Sequence, residues 1–506
     1  MEQAQSQTGR SSIGTLWTAA LAIAALGTWV LFDSLPGINW LIWTASAAAC
    51  LLLFPRLENR MSRPLLTVAG MAILISGGAV GTADPFIGFL MFIGIIGFLA
   101  LEMLLSPNPV WQRVSAAFTI TAPIVAFGNA LVESIRRAIE ALHLVRSPRA
   151  RSIVGGIAIT LPVVIIFGLL LASADPLFAR WRDAIDRLIS SWDFLPRTVF
   201  FIALLSIVLG AYGFALKGRE SSDLLPARAD EPAQRWIGAT ERLILISSVA
   251  ALLWVFLLVQ LTYLFGNLPE VTGSGVTFAD YARRGFAELS IVASASAVLI
   301  LLSERFGKRG DRDMLLRAVT MALVVAVLFL LGSAFHRVSL YEQAYGFTTA
   351  RLYAQAYMIV VAICLLLLGI EIRRDIDTRR LFRRAGAVAT LAFLVLVYWN
   401  HEAWIAARNI DRFTTTGKLD VSYLVRDLSP NAIPVIVERI PSLPAPVWNE
   451  VHAALLRTYG GGRRPLEGSW YEWNLARSRA RAALDKAGIP HRRLPAPATP
   501  APAQRL

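Results

Sequence analysis

The side chains able to do acid–base work in this chain are few and gathered in three stretches. Asp280, Glu288, His336, Glu342 and His401 fall near Arg284, Arg337, Arg351 and Arg408 and among Tyr281, Tyr341, Tyr345 and Tyr353. A carboxylate or imidazole beside a guanidinium is the equipment for moving a proton on a substrate whose anionic group the arginine holds. Asn400 and Asn409 complete the set. On a helix beginning near residue 400, Asn400, Trp404 and Arg408 recur at i,i+4 and share one stripe. The same groups also suit one another: Arg351 with Glu342 or Asp280 would simply fasten helix ends together, and that lock is the preferred reading. No Ser-nucleophile elbow, His-Glu-x-x-His or Cys-x-x-Cys run is present, and His401-Glu402 lacks the second His that metal binding at helical spacing needs. The expectation is no metal, no cofactor and no assigned catalytic residue.

The elements that must position these residues are membrane spans. Of 506 residues, 56% are hydrophobic and only 17% charged, too apolar for a water-soluble chain. Eleven apolar stretches of near-spanning length occur at 14–32, 38–54, 65–81, 86–105, 153–172, 198–216, 243–265, 286–302, 315–335, 352–370 and 385–399. Each must be helical, because an open strand in lipid leaves backbone groups unpaired. The expected fold is therefore an all-α, polytopic membrane protein with about 11 transmembrane helices and a small α-helical extracytoplasmic carboxyl-terminal region. Five regions are expected: a four-helix membrane region at 1–105, a cytoplasmic interfacial basic segment at 106–152, a seven-helix core at 153–400, an outer helical domain at 401–493 and a Pro/Ala-rich tail at 494–506.

A formal charge of +14 raises the question of nucleic acid. The basic residues instead sit in alternate loops, where orientation is encoded, and no basic stripe interleaves with exposed aromatics. Arg56, Arg60 and Arg63 follow the second span, while the turns after the first and third carry no Lys or Arg; Arg373, Arg374, Arg379, Arg380, Arg383 and Arg384 follow the tenth. The amino terminus is expected in the cytoplasm, behind an uncleaved first span, and the residues after Trp399 outside. Anionic headgroups are the expected contacts of the arginine loops. Cys50 and Cys364 fall within spans as small hydrophobes.

Several local signals follow. Asp84-Pro85 and Asp175-Pro176 read as helix starts, Asp capping and Pro at the first helical position. Residues 176–192 read as a short surface helix carrying Trp181 and Trp192. Residues 114–131, nearly apolar but flanked by arginines, read as an interfacial or re-entrant segment broken by Pro123 and Gly128, with a twelfth span as the alternative. If the ninth helix runs past Phe335, Arg337, Tyr341 and Tyr345 share a face, Gly346 ends it and Thr348 or Thr349 caps the next. Gly77 and Gly81 suit close helix approach. The tail shows helical stretches at 403–413, 421–428, 431–440, 449–459 and 469–487.

Three runs carry a resemblance. Thr277-Phe278-Ala279-Asp280-Tyr281-Ala282-Arg283-Arg284-Gly285-Phe286, then Leu340-Tyr341-Glu342-Gln343-Ala344-Tyr345-Gly346-Phe347-Thr348 with Arg351-Leu352-Tyr353, then Ala406-Ala407-Arg408-Asn409-Ile410, Thr416-Gly417-Lys418-Leu419-Asp420 and Tyr423-Leu424, occur in that order. Over residues 150–440 the chain resembles bacterial membrane proteins grouped as domain of unknown function 4173 and its sister 4153. The resemblance implies a bacterial cytoplasmic membrane and a shared polytopic core, and brings no settled reaction or catalytic assignment. Where members often carry an Asn-Pro-Asp-like run, this chain has Asn400-His401-Glu402.

Three functions compete. A non-enzymatic envelope sensor or assembly scaffold, binding an envelope protein or small ligand on the outer face, explains why the polar groups lie outside. A secondary transporter wants ionisable groups near mid-bilayer, where Gln260, Thr262, Tyr263 and Pro162 are the principal candidates. A membrane enzyme acting on a lipid or envelope glycan would use the acids and arginines above, and no triad spacing favours it.

Overall fold

The computed structural model describes residues 2–57, 61–106, 116–142, 194–216, 237–265, 286–306, 313–374, 377–460, 464–466 and 468–491. These residues form helices joined by short turns, with no β-strand among them. The chain makes two compact units, residues 1–227 with 466–478 and residues 228–465 with 479–506.

The first unit contains α1 (Glu2–Leu31), α2 (Ile38–Leu57), α3 (Arg63–Gly81), α4 (Pro85–Leu105), α5 (Ala116–Leu142) and α6 (Phe194–Leu216). The second contains α7 (Ala239–Phe265), α8 (Phe286–Phe306), α9 (Asp313–Tyr345), α10 (Thr349–Arg373), α11 (Thr378–Tyr398), α12 (His401–Thr416), α13 (Ile433–Arg439) and α14 (Ala445–Tyr459). A last helix, α15 (Leu475–Lys486), has its first residues in the first unit.

Eight helices among the described residues are long and apolar enough to cross a membrane, and Ile38–Leu53 is a shorter apolar one. The expected span at 286–302 is occupied by α8, and the one at 153–172 lies outside the described residues, as do Asp175-Pro176 and the expected surface helix after it. Large apolar side chains such as Phe89, Phe92, Leu252, Ile291, Phe329 and Leu391 stand exposed on these helices. Such faces need lipid as solvent. The protein is a multi-pass, all-α membrane protein.

In the first unit Asp84 caps α4 as its sequence implies, Oδ1 accepting from Phe86 N at 2.8 Å and Ile87 N at 3.2 Å. The expected break at Pro123 and Gly128 does not occur: both lie inside the continuous helix α5. Pro123 removes one helical hydrogen bond, but packing of Ala122, Ala126 and Ala130 into the core shared with α4 and α6 supports the helix through it. Gly210 of α6 faces the Ala130 backbone so closely that a Cβ would collide with it. Gly81, expected at a close crossing, has open space around it. Small residues mark close approach only where a partner helix arrives, and here it arrives on α6.

The carboxyl-terminal segment of this unit lies over two of its turns. Asn474 Nδ2 donates to the carbonyls of Ala79 and Thr82, both at 2.7 Å, and Arg477 Nη2 donates to Pro36 O at 2.8 Å. Ile38 N donates to Trp473 O at 3.0 Å, and Trp29 packs on Trp470 and Tyr471. Burial pulls the Arg477 guanidinium below its ordinary range. The 470–477 stretch thus sits at the end of the bundle where α1 turns into α2 and α3 into α4.

In the second unit three ion pairs join neighbouring helices at the arginine-rich ends. Arg242 of α7 meets Glu304 of α8. Glu371 of α10, fully buried, accepts from Arg380 Nη2 at 2.7 Å and Arg384 Nη1 at 3.1 Å of α11. Two of the arginines read as loop charges are therefore interhelical fasteners. Gln260, the polar residue noted within the seventh span, accepts from Ser333 Oγ at 3.0 Å.

Candidate functional site

At the opposite end of the second unit the cluster expected from the sequence assembles around the α9–α10 turn and the start of α12. Helix α9 runs on to Tyr345, so Tyr341 and Tyr345 do share a face, with ring centroids 4.8 Å apart. Gly346 ends it with φ +88, a conformation that a side chain strains. Thr348 Oγ1 then accepts from Arg351 N at 3.4 Å and starts α10.

Three side chains stitch this turn. Arg351 donates to Gly346 O while its guanidinium lies 4.2 Å from the Tyr341 ring centroid. Asn409 of α12 bridges Phe347 in both directions at 2.8 Å, Oδ1 accepting from the amide and Nδ2 donating to the carbonyl. Arg412 donates to Gln343 O at 2.9 Å and to Ala344 O, satisfying carbonyls that the end of α9 leaves free. Nearby, Glu342 Oε2 accepts from Gln355 Nε2 at 2.8 Å, and Arg351 supplies an attractive charge.

A second knot joins α12 to the residues after it. Asn400 caps α12, Oδ1 accepting from Ala403 N at 3.1 Å, while its Nδ2 donates to Asn431 O at 3.2 Å. Glu402, 2% exposed, accepts from Ser429 N at 2.9 Å, from Asn431 Nδ2 at 2.8 Å and from Ser429 Oγ. Thr349 N donates at 2.8 Å to the hydroxyl of Tyr423, which burial pushes above the ordinary phenol range. Arg439 of α13 reaches Asp411 of α12.

His401 is 1% exposed and hydrogen-bonded on both ring nitrogens. Nδ1 lies 3.2 Å from Trp399 O, a carbonyl that only accepts, so Nδ1 carries the proton; Nε2 then accepts from Tyr353 OH at 2.8 Å. Both lone-pair and proton positions are taken. Trp399 lies tilted against His401 and against Trp404, Trp404 meets Phe347 edge-on, and Arg408 lies 5.6 Å from the Trp404 ring centroid. Most donors here meet acceptors of the same chain; the exception among the described residues is Glu342 Oε1, buried without a hydrogen-bond partner.

The structure thus brings together Tyr341, Glu342, Tyr345, Arg351, Tyr353, Asn400, His401, Arg408 and Asn409. Glu288 and His336 are exposed on α8 and α9. Arg337 is half-buried one residue further along α9. Asp280, Tyr281 and Arg284 lie outside the described residues. Glu402, noted beside His401, belongs to the network, and so do Arg412, Gln355 and Tyr423, which were not among the candidates; Arg412, one helical turn beyond Arg408 at a helix carboxyl terminus, carried the clearest signal. Among the described residues no group of three His, Cys, Asp or Glu side chains is placed to hold a metal ion.

The family model described as a domain of unknown function (DUF4153) matches residues 69–439. Of the two sister families that the motifs resemble, this is the one matched, and the match begins well before the expected residue 150. No curated protein and no solved structure matches the chain.

Proposed function

Starting from the chain's membership of the DUF4153 family, a multi-pass membrane family without an assigned activity, we propose that it is a non-enzymatic envelope sensor or assembly scaffold of a bacterial inner membrane. Its amino terminus is cytoplasmic and its carboxyl-terminal helices extracytoplasmic. In this reading the polar cluster locks α12 and the residues after it onto the ends of α9 and α10, so that a partner or ligand engaging the outer helices moves the membrane helices with them.

One observation carries the reading: most of the cluster's polar side chains are spent on atoms of the same chain, Asn409 on both polar atoms of Phe347, Arg412 on the end of α9 and Glu402 on Ser429. An acid–base site must also let substrate reach its free group, and the one carboxylate oxygen of the cluster without a hydrogen-bond partner among the described residues, Glu342 Oε1, belongs to a side chain only 4% exposed. The orientation draws support from the 470–477 segment, which lies beside the turns at Pro36 and Thr82, turns without Lys or Arg.

The test is an alanine scan of Arg351, Tyr353, His401, Arg408 and Asn409 scored for membrane abundance and for the phenotype of a deletion strain. A lock loses protein and phenotype together. Variants of normal abundance that lose the phenotype would mark a binding or catalytic site and overturn the proposal. Cysteine labelling from outside at Lys418 is expected; labelling only from the cytosol reverses the orientation.

A further inference from the structure

A carboxyl that the outer cluster does not use lies in the first unit. Glu102 is in the last turn of α4, a helix otherwise made of apolar residues and glycines, and it is fully buried. Neither carboxyl oxygen has a hydrogen-bond partner among the described residues. Its surroundings are Leu101, Met103, Leu104 and Leu105 of its own helix and the core shared with α2, α5 and α6.

On the helices packed against α4 the described ionisable side chains face elsewhere; Arg197 of α6 lies over the Phe32 ring, and Arg56 of α2 is outside the described side chains. On α6, Tyr212 is within electrostatic reach of Glu102, but its hydroxyl donates to Ala47 O of α2 at 3.1 Å. Cys50 of α2 hydrogen-bonds to Tyr212. On α5, Arg136 and Arg137 both close on Glu133, at 2.6 Å and 2.9 Å, and so face a different carboxylate. Arg63, at the start of α3, is exposed. Among the described residues no cation hydrogen-bonds to Glu102.

An ionised carboxylate stripped of water, without donor or counter-charge, is among the most unfavourable groups a membrane-embedded bundle can hold. The neutral acid avoids that cost by keeping one proton. We propose that Glu102 is a proton-binding site in the membrane region, occupied at neutral pH, with Tyr212 as a polar group near it. The ligand is the proton itself, and its release requires α4 to expose the carboxyl or a cation to approach it, which couples the protonation of this residue to the arrangement of α4 against α2 and α6.

The test uses the full-length protein in native membranes and a hydrophobic carbodiimide, dicyclohexylcarbodiimide. The carboxyl proton adds to one nitrogen and the carboxylate oxygen to the central carbon, and rearrangement leaves a stable N-acylurea with nothing expelled. Peptide mapping by mass spectrometry is expected to find the adduct on Glu102 at about pH 7, where exposed carboxyls are ionised, to see it fall as pH is raised, and to find none on Glu133. Glu102→Gln, which mimics the protonated acid, is expected to remove the adduct and leave abundance and melting unchanged. Absence of the adduct in the wild-type protein overturns the proposal. So does loss of the folded protein in E102Q, which would reveal an ionised Glu102 paired with a cation, and so does protection of Glu102 by sodium chloride but not by choline chloride, which would make it a metal-cation site.

Discussion

Glu402 and Glu102 are equally buried and oppositely treated. Glu402, where α12 begins, accepts from two side chains and a backbone amide; Glu102, inside α4, accepts from nothing among the described residues. A carboxylate met by several donors is stable as an ion and holds its neighbours in place. One met by none is stable only when something arrives to neutralise it. Burial therefore says little about purpose; the inventory of partners separates a fastener from a receptor.

The comparison can be broken at either end. The largest effect is expected from Glu402→Ala, which strands the donors of Ser429 and Asn431 and should destabilise the protein by about 3 kcal/mol, read as a lower melting temperature in detergent and as lost membrane abundance. Asn409→Ala removes both hydrogen bonds to Phe347 and leaves those backbone atoms to find water, an expected loss of about 2 kcal/mol in the same assay. Asp377 tests a fastener at the other end of the second unit. Its Oδ1 accepts from Arg379 N and Arg380 N, both at 3.0 Å, and these bonds hold its carboxyl below the ordinary range.

Because the folded value is the lower one, Asp377's contribution is complete above the carboxylate's unfolded value of about 3.9 and is lost as pH falls through the folded one. Asp377→Ala should cost about 1 kcal/mol near neutral pH and less in acid, followed by unfolding at two pH values. The smallest effect is expected from Glu102→Gln, a change within about 0.5 kcal/mol. A Glu102 substitution as damaging as Glu402→Ala would erase the contrast.

What could be read in the sequence was local. Gly346 and Thr348 announced a helix end and a cap because those rules involve residues a few positions apart, and Asp84-Pro85 did the same for α4. The spans were legible because composition alone decides which segments lipid accepts. The partners of Glu402 and Asn409 were not, since Ser429 and Phe347 reach them only through the fold. Glu102 passed unnoticed because a single acid near the end of an apolar run looks like an interfacial residue. Pro123 and Gly128 misled in the opposite direction: breakers in isolation, they sit within α5 where neighbouring helices support it.

The 470–477 segment has a consequence for the order in which the chain can be made. Its hydrogen bonds reach turns 395 and 441 positions earlier, Asn474 to Ala79 and Arg477 to Pro36. The first helices leave the ribosome and enter the bilayer long before their covering residues exist, so the amino-terminal bundle waits, with two turns bare, until residues 470–477 have been made.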